Sequence, residues 1–108
     1  MQIVDSHCHI NFAELAKRLP ELLENARRND VSHMLCVSVN LEDFPQVKGL
    51  ADQYPNIFAS VGVHPCYEDV HEPSVEELVE IGQNTNIVAI GETGLDYFRT
   101  EEQDMTWQ

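Results

Sequence analysis

The sequence predicts an α/β fold built on a parallel sheet, and three observations predict it. Apolar, β-branched runs recur at Ile3-Val4, Met34-Leu35-Cys36-Val37, Ile57-Phe58-Ala59-Ser60-Val61 and Ile87-Val88-Ala89-Ile90. They start roughly 25–30 residues apart, the size of a βαβ unit. Apolar residues at helical spacing fill the gaps between them. Polar clusters fall where the strands end, and in parallel α/β folds that rim is where sites assemble.

The elements follow in order. Gln2-Ile3-Val4 reads as a first strand leading into Asp5-Ser6-His7-Cys8-His9. Leu19, Leu22, Leu23 and Ala26 keep the i, i+3, i+4, i+7 rule of an amphipathic helix, and Pro20 suits its first position. Beyond the second strand, Phe44, Val47, Leu50, Ala51 and Tyr54 form another apolar stripe, with Pro45 near its start. After the third strand, Ser74-Val75-Glu76-Glu77 is a capping box that opens a helix with Val75, Leu78 and Val79 facing inward. The order β-α-β-α-β-α-β implies parallel strands joined by right-handed crossovers. Strands that are nearly continuous apolar runs imply a sheet covered on both faces. Residues 98–108 read as the beginning of a further helix.

The 108 residues suit one domain, and no linker or repeat divides them. No apolar run approaches the ~20 residues of a membrane span. The first residues carry neither a basic nor an apolar leader region, so a cytoplasmic location is expected. Three cysteines without a CxxC spacing argue against a disulfide framework. Cys8 and Cys36 are expected as small buried hydrophobes. Six basic residues face 19 acidic ones, a formal charge of −13. That repels nucleic acid over the general surface and excludes an extended salt-driven groove. It leaves open a site where cations meet a phosphate locally.

The chemistry concentrates at strand ends. Residues two apart on a strand share a face, so His7 and His9 can reach one metal ion. Neutral imidazole is a common ligand for such ions, and Asp5 stands where it can orient a ligand ring. Glu92 follows the fourth strand between Gly91 and Gly94, where a carboxylate can bridge two metal ions ~3.5–4 Å apart. Gly62-Val63-His64-Pro65 sets a further imidazole at the third strand end. It serves a substrate phosphate through a hydrogen bond or charge, acts as a general acid, or is a structural turn histidine. Asp96 fits local turn bonding and Arg99 fits a solvated side chain. His33 and His71 receive no role.

Asp5-Ser6-His7-Cys8-His9, Gly62-Val63-His64-Pro65 and Gly91-Glu92-Thr93-Gly94-Leu95-Asp96-Tyr97 together resemble the N-terminal signatures of the TatD family of metal-dependent deoxyribonucleases. Their order and spacing match, and the likeness spans essentially the whole chain. The resemblance implies a TIM-type (β/α)8 barrel of the metal-dependent hydrolase class. Such a barrel needs about 250 residues. Residues 1–108 are therefore expected to be the N-terminal part of one such domain, a truncated barrel with its first three to four βα units. The resemblance further implies two divalent metal ions (Zn, Mn or Mg), with His7 and His9 binding one and Glu92 bridging both. Glu92 and His64 are the expected catalytic residues, and DNA or another phosphoester is the expected substrate.

The family's two further histidines and its aspartate lie on later strands and have no counterpart in this sequence. The isolated chain is therefore expected to turn over weakly or not at all. Alternatives are an inactive half-barrel, self-associating through exposed sheet edges, and a phosphoesterase of the PHP or amidohydrolase type. The Gly-Glu-Thr-Gly-Leu-Asp-Tyr stretch speaks against the latter. A receiver-type binding domain would want an acidic pocket where this chain has histidines.

Overall fold

The computed structural model describes residues 1–98 and 106–108. Arg99 and most of the expected helical start within 98–108 lie outside the described residues. The elements are β1 (Ile3–Cys8), α1 (Ala13–Ala16), α2 (Leu19–Arg28), β2 (Val31–Cys36), α3 (Phe44–Gln53), β3 (Ile57–Val61), α4 (Val75–Gly82) and β4 (Ile87–Ile90). All strand pairings are parallel and the sheet order is β1-β2-β3-β4. Each strand adds beside its predecessor with no reversal. That is the winding of a barrel wall, whereas a doubly wound sheet switches direction.

One line of register partners crosses the sheet: Cys8 with Cys36, Cys36 with Ala59, and Ala59 with Ile87. It runs from the C-terminal ends of β1 and β2 to the middle of β3 and the start of β4, so the parallel strands end at one rim in a stagger. β1 runs through His7, beyond its apolar start, so His7 is part of the strand and not of the loop after it.

Helices cover one face only. Met34, Cys36, Ile57, Ala59, Val61 and Ile87 of the strands are buried with Phe44, Val47 and Ala51 of α3. Leu19, Leu22, Leu23 and Ala26 of α2 pack against this cluster. Truncating its fully buried Ile57 to alanine costs about 2–5 kcal/mol on the usual scale. The alternate strand positions Leu35 and Phe58 are only half-buried and His33 is exposed. The expectation of a sheet covered on both faces is thus corrected. These runs are apolar enough for two covers, and among the described residues the second face has none.

α4 begins as expected, with the Ser74 hydroxyl accepting the Glu77 N–H at 3.1 Å. Such a cap is typically worth about 1 kcal/mol. The Glu77 carboxylate turns to His71 instead, 2.9 Å from its Nε2. Val75 and Val79 are not inward: they are 72% and 57% exposed. Leu78 and Ile81 make the contact with the core. The apolar stripe is wide, β4 is the outermost strand beneath it, and the Val75–Val79 flank looks past that strand.

Candidate metal centre

β1 delivers His7, and the turn after it delivers His9. Cys8 between them points to the helices, where its thiol donates to the Leu35 carbonyl at 3.3 Å. A hydrogen bond with Cys36, and then burial, push the Cys8 thiol far above its ordinary range. His7 and His9 therefore share the opposite face, as strand alternation demands. Asp5 accepts the His7 backbone N–H at 3.1 Å. It orients the strand end and not the imidazole ring, which corrects the expected contact.

The two rings meet at their tips. His7 Nε2 lies 3.2 Å from His9 Nε2. Glu92 closes the triangle, with Oε1 3.3 Å from His7 Nε2 and Oε2 3.6 Å from His9 Nε2. His9 Nδ1 lies 3.0 Å from the Val37 carbonyl oxygen, which can only accept, so this nitrogen donates. In the neutral ring the Nε2 lone pair then faces His7 and Glu92. Phe12 stacks on the same ring with centroids 4.7 Å apart. A ring nitrogen donating to a carbonyl while its other nitrogen faces a carboxylate is the arrangement that prepares histidine for metal.

One donor atom from each of His7, His9 and Glu92 lies within 4.8 Å of the other two. Two imidazole nitrogens and a carboxylate fit a divalent transition ion.

His64 lines the same cleft of about 450 Å³ as His7 and Glu92, together with Ser6, Ser60 and Asp96. Its backbone N–H is anchored on the Val39 carbonyl at 2.8 Å. Its Nδ1 accepts the Cys66 backbone N–H at 3.1 Å, so in the neutral ring Nε2 carries the proton. That Nε2 lies 3.7 Å from Asp96 Oδ2, and the Cys66 thiol donates to the same oxygen at 3.4 Å. His64, Cys66 and Asp96 are close enough for a cation. The ring nevertheless offers N–H where a metal needs a lone pair, so this cluster is a hydrogen-bonded triad. Asp96 also accepts the Phe98 N–H, as its turn role predicts. Its place beside His64 was missed, because nothing local in the sequence links residues 32 positions apart.

A larger hollow of about 610 Å³ lies at the other end of the sheet, between Leu23, Arg27, Val31 and Tyr54. Among the described residues it holds no group of metal-ligating side chains. The chemistry is at the strand C-termini.

Comparison with known proteins agrees with this geometry. The family model described as TatD related DNase matches residues 4–108. This chain belongs to that family. The TatD-family chain is 35% identical to the uncharacterized metal-dependent hydrolase YcfH of Escherichia coli (strain K12), over 100% of this chain and 42% of YcfH. It is 31% identical to an uncharacterized metal-dependent hydrolase of Buchnera aphidicola subsp. Baizongia pistaciae, over 94% of this chain and 40% of that protein. Its fold superposes on the crystal structure of YjjV, a TatD homologue from Escherichia coli K12. The TM-score is 0.79 at 30% identity, covering 89% of this chain and 38% of YjjV. The chain thus spans about two fifths of the length of these relatives. Its four parallel strands and their helices correspond to part of the TatD barrel wall. No helix among the described residues is long and apolar enough to cross a membrane.

Proposed function

We propose that residues 1–108 are the N-terminal part of a single TatD-type domain that hydrolyses phosphodiester bonds in DNA with the help of divalent metal ions. The observation that carries this reading is the meeting of His7 Nε2, His9 Nε2 and the Glu92 carboxylate at 3.2–3.6 Å. His7 and His9 would hold one ion and Glu92 would serve it and a second, with Zn, Mn and Mg as the candidates. Ions held there supply Lewis-acid charge to a phosphoryl oxygen and lower the pKa of a water. Glu92 thereby belongs to both the metal set and the catalytic set.

His64 supplies what a bound phosphate needs beside the cations. Its Nε2–H is fixed by the Cys66 contact and lies at the wall of the same cleft. We assign it the role of donor to a phosphate oxygen, with proton delivery to the leaving group as the further step open to it. The net charge of −13 confines attraction for DNA to the cation-bearing rim.

The test is calorimetric titration of the purified chain with Zn²⁺ or Mn²⁺, paired with turnover of DNA and bis(p-nitrophenyl) phosphate. Saturable binding lost in His9→Ala is the expected result, with turnover near background for this chain alone. Uptake that is unchanged in both His7→Ala and His9→Ala would sink the assignment. Robust DNA cleavage by the isolated chain, abolished by Glu92→Ala, would overturn the expectation of weak turnover and strengthen that of hydrolysis.

A further inference from the structure

Glu92 sits just beyond β4, and its backbone is tied inward to β3 and to the segment that follows β2. The Gly91 N–H donates to the Val61 carbonyl and the Glu92 N–H to the Ser38 carbonyl, both at 2.9 Å. Between these ties lies the hydroxyl of Ser60, whose residue is 1% exposed. Its Oγ accepts the Ser38 N–H at 3.0 Å and donates to the Gly91 carbonyl at 2.7 Å. A single side chain on β3 thus joins the end of β2 to the peptide that carries Glu92.

The neighbouring serine does not take over. The Ser38 hydroxyl is committed to the Asn40 carbonyl at 3.0 Å. The backbone is packed too closely for a replacement group: a Cβ on Gly62 would stand 2.7 Å from the Gly91 carbonyl carbon and 3.0 Å from the Glu92 oxygen. Without the hydroxyl, the buried Ser38 N–H and the Gly91 carbonyl lose this bond together. The peptide at Gly91 is then free to shift. Ligand geometry tolerates displacements of only about 0.5 Å.

We propose that Ser60 is the positioning residue of the Glu92 carboxylate, holding it at the tips of His7 and His9. The inference rests on the metal-centre reading above. Ser60 touches no ligand atom of that centre among the described contacts; it acts through the Gly91 carbonyl.

The experiment titrates wild type, Ser60→Ala, Ser60→Thr, Ser60→Cys, Glu92→Gln and the Ser60→Ala/Glu92→Gln double variant with Co²⁺ alone. Affinity and the visible absorption of bound Co²⁺ are read together, after thermal melts confirm folding. Ser60→Ala is expected to weaken binding about 10–100-fold, the usual effect of removing an outer-shell partner. Its bound spectrum is expected to move toward that of Glu92→Gln. Ser60→Thr keeps the hydroxyl and binds as wild type. Ser60→Cys, with a weaker donor, falls between, and it carries the test if Ser60→Ala does not fold. In the Glu92→Gln background Ser60→Ala adds nothing, because the residue through which it acts is gone. Wild-type affinity in Ser60→Ala, or losses that add independently in the double variant, would overturn the proposal and leave the metal centre standing. Failure of wild type to take up Co²⁺ would overturn both.

Discussion

Two clusters at the same rim each pair histidine with a carboxylate, and they turn opposite kinds of ring nitrogen to the cleft. His7, His9 and Glu92 turn two imidazole Nε2 atoms and a carboxylate toward one point. His64, Cys66 and Asp96 are as close together, yet His64 shows that point an N–H. The difference lies in what each ring's Nδ1 touches. A carbonyl, that of Val37, makes His9 Nδ1 a donor and frees its Nε2 lone pair. A backbone N–H, that of Cys66, makes His64 Nδ1 an acceptor and leaves the proton on Nε2. One backbone contact per ring decides whether a histidine at a strand end receives a cation or donates to an anion.

The sharpest way to break this contrast is to remove a ring from each cluster. His9→Ala is expected to lower Zn²⁺ affinity by at least about 100-fold, above the ~10–100-fold typical of losing an outer-shell partner. His64→Ala is expected to leave Zn²⁺ affinity and stoichiometry as in wild type. Calorimetry reads both. A Zn²⁺ equivalent in wild type that disappears in Cys66→Ser or His64→Ala would show that the second cluster is also a cage, and the tautomer argument would fail.

A smaller effect sharpens the same contrast from the anion side. With Zn²⁺ saturating, His64→Gln is expected to weaken the calorimetric binding of inorganic phosphate several-fold, about the 0.5–1.5 kcal/mol of one hydrogen bond. The variant keeps a donor but not its aim. A phosphate affinity unchanged in both His64→Gln and His64→Ala would remove phosphate recognition from this ring and leave it a turn residue.

Much of this was legible because it is local. β3 and β4 coincide with their β-branched runs, and the face shared by His7 and His9 follows from period-two alternation alone. The Ser74 cap needed only a four-residue motif. What was not legible depends on partners distant in sequence. Ser60 reads as one more residue of an apolar strand until the Gly91 carbonyl arrives 31 positions later. Asp96 reads as a turn former until His64 lies beside it. β1 outran its apolar start because polar residues accept ladder bonds as readily as apolar ones. The Val75 and Val79 error has the same root. Helical spacing finds a stripe, and the neighbouring strand decides which edge of that stripe is covered.

His71 offers the smallest effect and an internal control, being a histidine paired with a carboxylate but with no further ligand in its pair. Its Nε2 lies 2.9 Å from Glu77 Oε2, and its backbone N–H donates to Glu42 Oε1 at 3.0 Å. The hydrogen bond and charge of Glu77 raise its pKa above the ordinary 6.5, with Glu42 and Glu72 adding to the same effect. A pKa raised on folding means that the protonated ring stabilises the fold. That contribution is complete below about pH 6.5, the unfolded value, and fades as pH climbs through the higher folded value. His71 is exposed and Glu77 half-exposed, so salt should weaken the pair further. The melting temperature of wild type should therefore exceed that of His71→Gln by most below the unfolded value of about 6.5 and converge with it as pH climbs past the raised folded value. A gap that stays constant with pH, or widens toward alkali, would mean that the loop is held by packing and not by this charge.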